Sequence, residues 1–168
     1  VRCLVREDAW GIEGLPVERA RGDVSDLESL KRAFEGAGTV FHLAARISIV
    51  GDEGGLVERT NVDGVRNVVE ACRARKVSRL VHFSSIHALN DRGDGDAIDE
   101  DSDPAVSESL PAYDRSKAAG ERVVREAVAR GFNAVIVNPT AILGPHDEKP
   151  SRMGRVLLDL AKRRMPAL

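Results

Sequence analysis

Five short apolar runs recur along the chain, at 1–5, 17–20, 39–45, 80–83 and 133–137. The third, Thr-Val-Phe-His-Leu-Ala-Ala, is almost unbroken and opens on β-branched residues. That pattern predicts a strand buried on both faces, as parallel sheets require. Between the runs, apolar residues fall at helical spacing. Leu27, Leu30, Ala33 and Phe34 mark one helix. Val57, Val65, Val68, Val69 and Cys72 mark a longer one over 56–75. A third spans 113–130, and Met153, Val156, Leu157 and Leu160 mark a last. Ser25-Asp26-Leu27-Glu28 reads as a capping box with the Ser25 hydroxyl as cap. Gly36 and Gly38 close that helix, Gly131 stops the third, and Ser151 caps the last. Asn61, a poor helix former, sits inside the second. Gly51, Gly54 and Gly55 bend the chain before it, and Gly144-Pro145 turns it near the end.

Strands alternating with helices mean βαβ units, right-handed crossovers and helices on both sheet faces. The predicted fold class is α/β, a doubly wound parallel sheet. Ligands of such sheets bind at the carboxyl ends of the strands. Arg6, Asp23, Ala44-Ala45, Ser84-Ser85, Tyr113 and Pro139-Thr140 all end a strand or open the next helix. The one long stretch without periodicity, 90–111, is rich in Asp, Glu and Gly. It reads as a solvated surface loop long enough to have a function.

At 168 residues the chain suits one domain. A formal net charge of −2 argues against nucleic-acid binding. Cys3 and Cys72 make no metal-like or paired spacing, so no metal site is expected and a reduced, cytoplasmic setting is. No apolar run reaches the roughly 20 residues of a membrane span.

Candidate chemistry centres on Tyr113-Asp114-Arg115-Ser116-Lys117. Residues 113 and 117 lie one turn apart on one helix face. A lysine cation there favours the phenolate and is expected to lower the tyrosine pKa towards neutrality. A serine at the end of the 80–83 strand can hold a substrate oxygen. Together they form an acid/base site for an alcohol or carbonyl.

These segments, in order, resemble the extended short-chain dehydrogenase/reductase superfamily, in its epimerase/dehydratase, dihydroflavonol reductase-like and 3β-hydroxysteroid dehydrogenase-like branches. The matching stretches are Leu-Val-Arg at 4–6, Gly-Asp-Val-Ser-Asp at 22–26 and Phe-His-Leu-Ala-Ala at 41–45. They continue with Thr-Asn-Val-Asp-Gly at 60–64, Phe-Ser-Ser at 83–85, Tyr-x-x-x-Lys, and Asn-Pro-Thr-Ala-Ile-Leu-Gly-Pro at 138–145. The resemblance implies a Rossmann-like fold and an NAD(P)(H)-dependent oxidoreductase acting on a small molecule. It implies Tyr113 as acid/base, Lys117 as the residue that tunes it and holds the nicotinamide ribose, and Ser85 as the substrate-positioning hydroxyl, with Ser84 the alternative. It also implies cofactor contacts from Arg6, Asp23, Val24, Ala44, Ala45, Pro139 and Thr140, and a helix asparagine at Asn61.

Arg6 can pair with a 2′-phosphate, which favours NADP(H) over NAD(H). A nucleotide-sugar epimerase or dehydratase, or a non-catalytic dinucleotide-binding protein, are the alternatives. A homodimer through helices 56–75 and 113–130 is expected. The superfamily's first strand with its Gly-x-x-Gly-x-x-Gly turn is not found in these residues. Residues 1–168 are therefore expected to be a partial Rossmann domain, with 146–168 leading into a substrate-binding segment.

Overall fold

The structure is a computed structural model that describes residues 1–7, 9–90, 97–144, 147 and 151–164. Asp91, Asp94 and Asp96 of the acidic loop, and Pro145, lie outside the described residues. The chain forms two compact units, Val1–Asn138 and Pro139–Leu168.

In the first unit, β1 (Arg2–Val5) pairs in parallel with β2 (Glu18–Arg21). A second parallel sheet has the order β3 (Thr39–His42), β4 (Arg79–Phe83), β5 (Ala134–Val137). Parallel neighbours demand crossovers, and helices supply them. Helix α1 (Leu27–Ala33) follows β2. A long helical stretch joins β3 to β4, and α4 (Ala112–Ala129) joins β4 to β5. The α/β, Rossmann-like expectation holds.

The long stretch is not one regular helix. It runs as α2 (Leu56–Glu58), a π-helical turn (Arg59–Asp63) and α3 (Gly64–Ala74). A π turn widens the backbone by one residue. Asn61 sits on it, 3 % exposed, and explains it. Its amide donates to the Arg46 carbonyl (2.9 Å) and to Ser116 Oγ (2.9 Å), and its Oδ1 accepts from the Arg46 N–H (2.7 Å). One side chain thus ties the segment after β3 to α4.

The core gathers α1, α3 and α4 over the strands. Leu30, Leu80, Cys72 and Val124 are sealed from solvent within it. Each such aliphatic side chain is worth about 1.5–3 kcal/mol of burial.

Two expectations are corrected. Strand β3 buries only alternate residues: Val40 and His42 are covered, while Phe41 is 61 % exposed. Val40 joins the helical core and Phe41 points away from it, so the strand reads as half-buried. The α1 cap is Asp26, whose carboxylate accepts from the Glu28 and Ser29 N–H groups. Ser25 instead turns its hydroxyl to Asp23 Oδ1 (2.8 Å). Aspartate is as good a cap as serine, and it lies one residue nearer the helix.

In the second unit, α5 (Arg152–Ala161) is capped by Ser151 Oγ, which accepts from the Gly154 N–H (3.0 Å). Met153, Leu157 and Leu158 remain more than 40 % exposed on it.

Candidate active site

Strand β4 delivers Ser84 and Ser85 at its carboxyl end, and α4 lays Tyr113 and Lys117 beside them. The Ser85 hydroxyl stands close enough to the Tyr113 phenol to act on its proton affinity. Ser85 Oγ also accepts from the His87 N–H (3.2 Å), which starts a short 3-10 turn over Ile86–Ala88. Ser84 Oγ is buried and without a partner. The geometry therefore supports Ser85 over Ser84 as the hydroxyl beside Tyr113.

Lys117 is 4 % exposed, and its ammonium donates to the Phe83 carbonyl (3.0 Å). Burial draws its pKa down to about 8, with Glu121 opposing. The Tyr113 phenol is raised, not lowered. Burial is the largest cause, the Ser85 hydroxyl works against it, and Asp114 adds to it. The expected lowering by Lys117 is absent: burial is the larger effect on the phenol, and the ammonium donates to the strand carbonyl. The phenol is thus a protonated acid at neutral pH.

Beneath α4 lie two stacked imidazoles, His42 and His82, in register on β3 and β4 with ring centres 5.2 Å apart. His42 Nε2 and both His82 nitrogens have no partner. Burial is the main cause that lowers His42 to about 4 and His82 to about 2, and the nearby Lys117 cation adds to both. An unfolded histidine titrates near 6.5. Below that pH the unfolded chain binds more protons than the folded one, so acid destabilises the fold. The slope is up to about 1.4 kcal/mol per pH unit for each ring. Both rings contribute down to about pH 4, and only His82 below it. We expect the urea midpoint to fall steadily from pH 7 to pH 5, and His82→Leu to flatten that slope. An unchanged slope in the variant would show that His82 is not the group responsible.

At the ends of β1 and β2, Arg6 Nε lies 3.6 Å from Asp23 Oδ2, with the Arg6 side chain 77 % exposed. Hydrogen bonds from Ser25 to the Asp23 carboxylate are the largest cause holding its pKa below the usual range; burial opposes them and Arg6 assists. These two predicted residues are brought together. The Val24 side chain is packed in the core, 8 % exposed, and its carbonyl accepts from Asn67 (2.9 Å), so a contact from this residue would be through the backbone N–H. Ala44 and Ala45 are exposed just after β3 and present little beyond backbone. Pro139 and Thr140 belong to the second unit.

The sequence reading missed Glu121, Asn138 and Ser116. Glu121 continues the four-residue spacing of Tyr113 and Lys117, and that was the available signal. Among the described residues after Ser85, part of the chain packs onto the fold rather than standing in solvent. Leu89 bridges Pro104, and Ala88 and Ala105 are buried against Ala118 of α4. A cleft of about 680 Å³ opens along the outer side of α4, between residues such as Pro104, Arg115 and Arg125. Ser85, Tyr113 and Lys117 do not line it.

The family model for NAD-dependent epimerases/dehydratases matches residues 4–165. The chain belongs to that family. It is 42 % identical over 171 residues to sterol demethylase protein B of Methylococcus capsulatus, covering 99 % of the chain and 51 % of that protein. It is 34 % identical to a putative dihydroflavonol 4-reductase of Synechocystis, covering 99 % and 49 %. Among solved structures it matches UDP-glucose 4-epimerase of Thermus thermophilus in complex with NAD. That match has TM-score 0.79 and 25 % identity, covering 99 % of this chain and 56 % of that one. The chain spans about half the length of the curated relatives it matches. The family is one of NAD(P)-dependent enzymes that include oxidoreductases. No helix among the described residues is long and apolar enough to cross a membrane.

Proposed function

We propose that this chain carries the acid/base centre of an NAD(P)(H)-dependent oxidoreductase that interconverts an alcohol and a carbonyl on a small molecule. The observation that carries the reading is the convergence of three groups: Ser85 at the end of β4, and Tyr113 and Lys117 one turn apart on α4, with the Lys117 ammonium tied to the Phe83 carbonyl beside that strand end. The residues fit a dinucleotide. Arg6 and Asp23 stand at two adjacent strand ends, Ala44 and Ala45 let a ligand approach the backbone, and the Lys117 ammonium has committed one of its three protons to Phe83. When bound, the nicotinamide supplies or takes the hydride. Ser85 holds the substrate oxygen, and Tyr113 gives that oxygen its proton in reduction and takes it back in oxidation. Lys117 fixes the phenol's charge balance and offers donors to the ribose.

The test is titration of the full-length protein with NADPH and NADH, followed by nicotinamide absorbance with a carbonyl panel. Binding without turnover would favour a non-catalytic role. The likeness to UDP-glucose 4-epimerase supports a second reading. An epimerase leaves no net change in nicotinamide absorbance while its product accumulates, and a reductase consumes the cofactor.

Arg6 favours NADP(H). A charge-assisted bond to a 2′-phosphate is worth about 1.5–3 kcal/mol. Arg6→Ala is therefore expected to weaken NADPH about tenfold or more while sparing NADH. Equal losses for both would remove Arg6 as the selector.

A homodimer through α3 and α4 is part of the same reading. Their shared surface carries Arg66, Arg73, Arg122 and Arg130 with Glu70 and Glu126 around Val69 and Val123, charges of both signs that a two-fold copy would have to pair across the interface. Sedimentation equilibrium would show a monomer if this is mistaken.

A further inference from the structure

Glu121 is a buried carboxylate, 4 % exposed, in the middle of α4. Such a group needs strong partners to stay charged. It has them. Its Oε1 accepts from the Asn138 amide, and Arg125 lies 3.4 Å from its Oε2. The same Asn138 amide donates to the Ser85 carbonyl (3.0 Å). One side chain therefore joins three elements: the helix that carries Tyr113 and Lys117, the end of β4 at Ser85, and the end of β5 at Asn138. The spacing 113, 117, 121 also stacks Glu121 one turn beyond Lys117 on the same face.

We propose that Glu121 is a positioning residue of the site: its buried carboxylate stands one turn beyond the buried Lys117 ammonium on α4, and its bond to Asn138 clamps the Ser85 strand end against that helix. This rests on the reading of Tyr113, Lys117 and Ser85 given above. Lys117 is faced from β3 by His42, from β4 by His82 and the Phe83 carbonyl, and along α4 by Tyr113 and Glu121. The two imidazoles are held neutral, so neither stabilises the cation. Glu121 is the anion that offsets the cost of burying Lys117. Arg125, on the solvent side of α4, competes for the same carboxylate. Removing the negative charge leaves an ammonium in a nearly dry site with one carbonyl as partner, and it loses its proton sooner.

The test reads Lys117 directly and needs no substrate. Lysine side chains labelled with ¹³C at Cε are titrated by NMR in the full-length protein, and the Lys117 signal is assigned by its loss in Lys117→Arg. Glu121→Gln keeps an acceptor for Asn138 and removes the charge. The Lys117 midpoint is expected to drop by about one pH unit or more, and Glu121→Asp is expected to restore most of it. Arg125→Ala, a surface change that leaves the fold intact, is expected to move the midpoint upward. An unmoved midpoint in both Glu121→Gln and Arg125→Ala overturns the proposal, as does an equal drop in the Gln and Asp variants. If Glu121→Gln does not fold, Arg125→Ala alone decides by the sign of its shift. A midpoint that moves as described, in a protein whose turnover ignores Tyr113→Phe, leaves the Glu121–Lys117 pairing standing and removes the catalytic reading.

Discussion

Tyr113→Phe is expected to lower kcat/KM for the alcohol–carbonyl reaction by about 10²–10⁴-fold, the usual worth of a positioned general acid. In barrier terms that is about 3–5.5 kcal/mol. The loss of one partly buried hydroxyl costs stability only about 1 kcal/mol, so the protein should remain folded and should still titrate with NADPH. The pH dependence has a definite sign. The Tyr113 pKa is raised, chiefly by burial, so the phenol already holds its proton at neutral pH. Carbonyl reduction should therefore run without a pH cost near neutrality. Alcohol oxidation should speed up as the pH rises and the phenol gives up its proton. A Tyr113→Phe variant that keeps its rate, or a rate with the opposite pH slope, would remove the phenol from the chemistry.

Much of this was legible in the sequence, for reasons that differ by residue. The parallel strands follow from apolar runs alternating with helical stripes, while their arrangement as β1-β2 and β3-β4-β5 is visible only in the fold. Tyr113, Lys117 and Ser85 were found because two of them share a helix face and the third ends a strand. What escaped was set by tertiary packing. The exposure of Phe41 depends on what covers each face of β3, which no local pattern encodes. Asn61 stood out as a poor helix former matching a family asparagine, but its three hydrogen bonds to Arg46 and Ser116, and the widened backbone there, are visible only in the fold. The Tyr113 pKa moved opposite to expectation because a pairwise argument about Lys117 ignored burial, the larger effect. Glu121 and Asn138 are separated by a strand and a turn, so their bond is invisible until the chain is folded.

Gly120→Ala should destabilise the protein by about 1–3 kcal/mol, against the sign that helix propensity alone gives. In the middle of an isolated helix that exchange stabilises by about 1 kcal/mol. Here a Cβ at residue 120 would lie 2.6 Å from the backbone oxygen of Asn61. A flexible side chain could swing away from such a contact. This oxygen belongs to the π turn, and that turn is pinned by the Asn61 bonds to Arg46 and Ser116. Relief therefore requires α4 to move off the turn, which loosens Ser116, one residue before Lys117, and with it the face that carries Tyr113. Urea unfolding of Gly120→Ala against wild type gives the number, and Gly120→Val should cost more. Equal or greater stability in the Ala variant would show that α4 and the π turn can part without loss. The glycine would then owe its place to something other than this close approach.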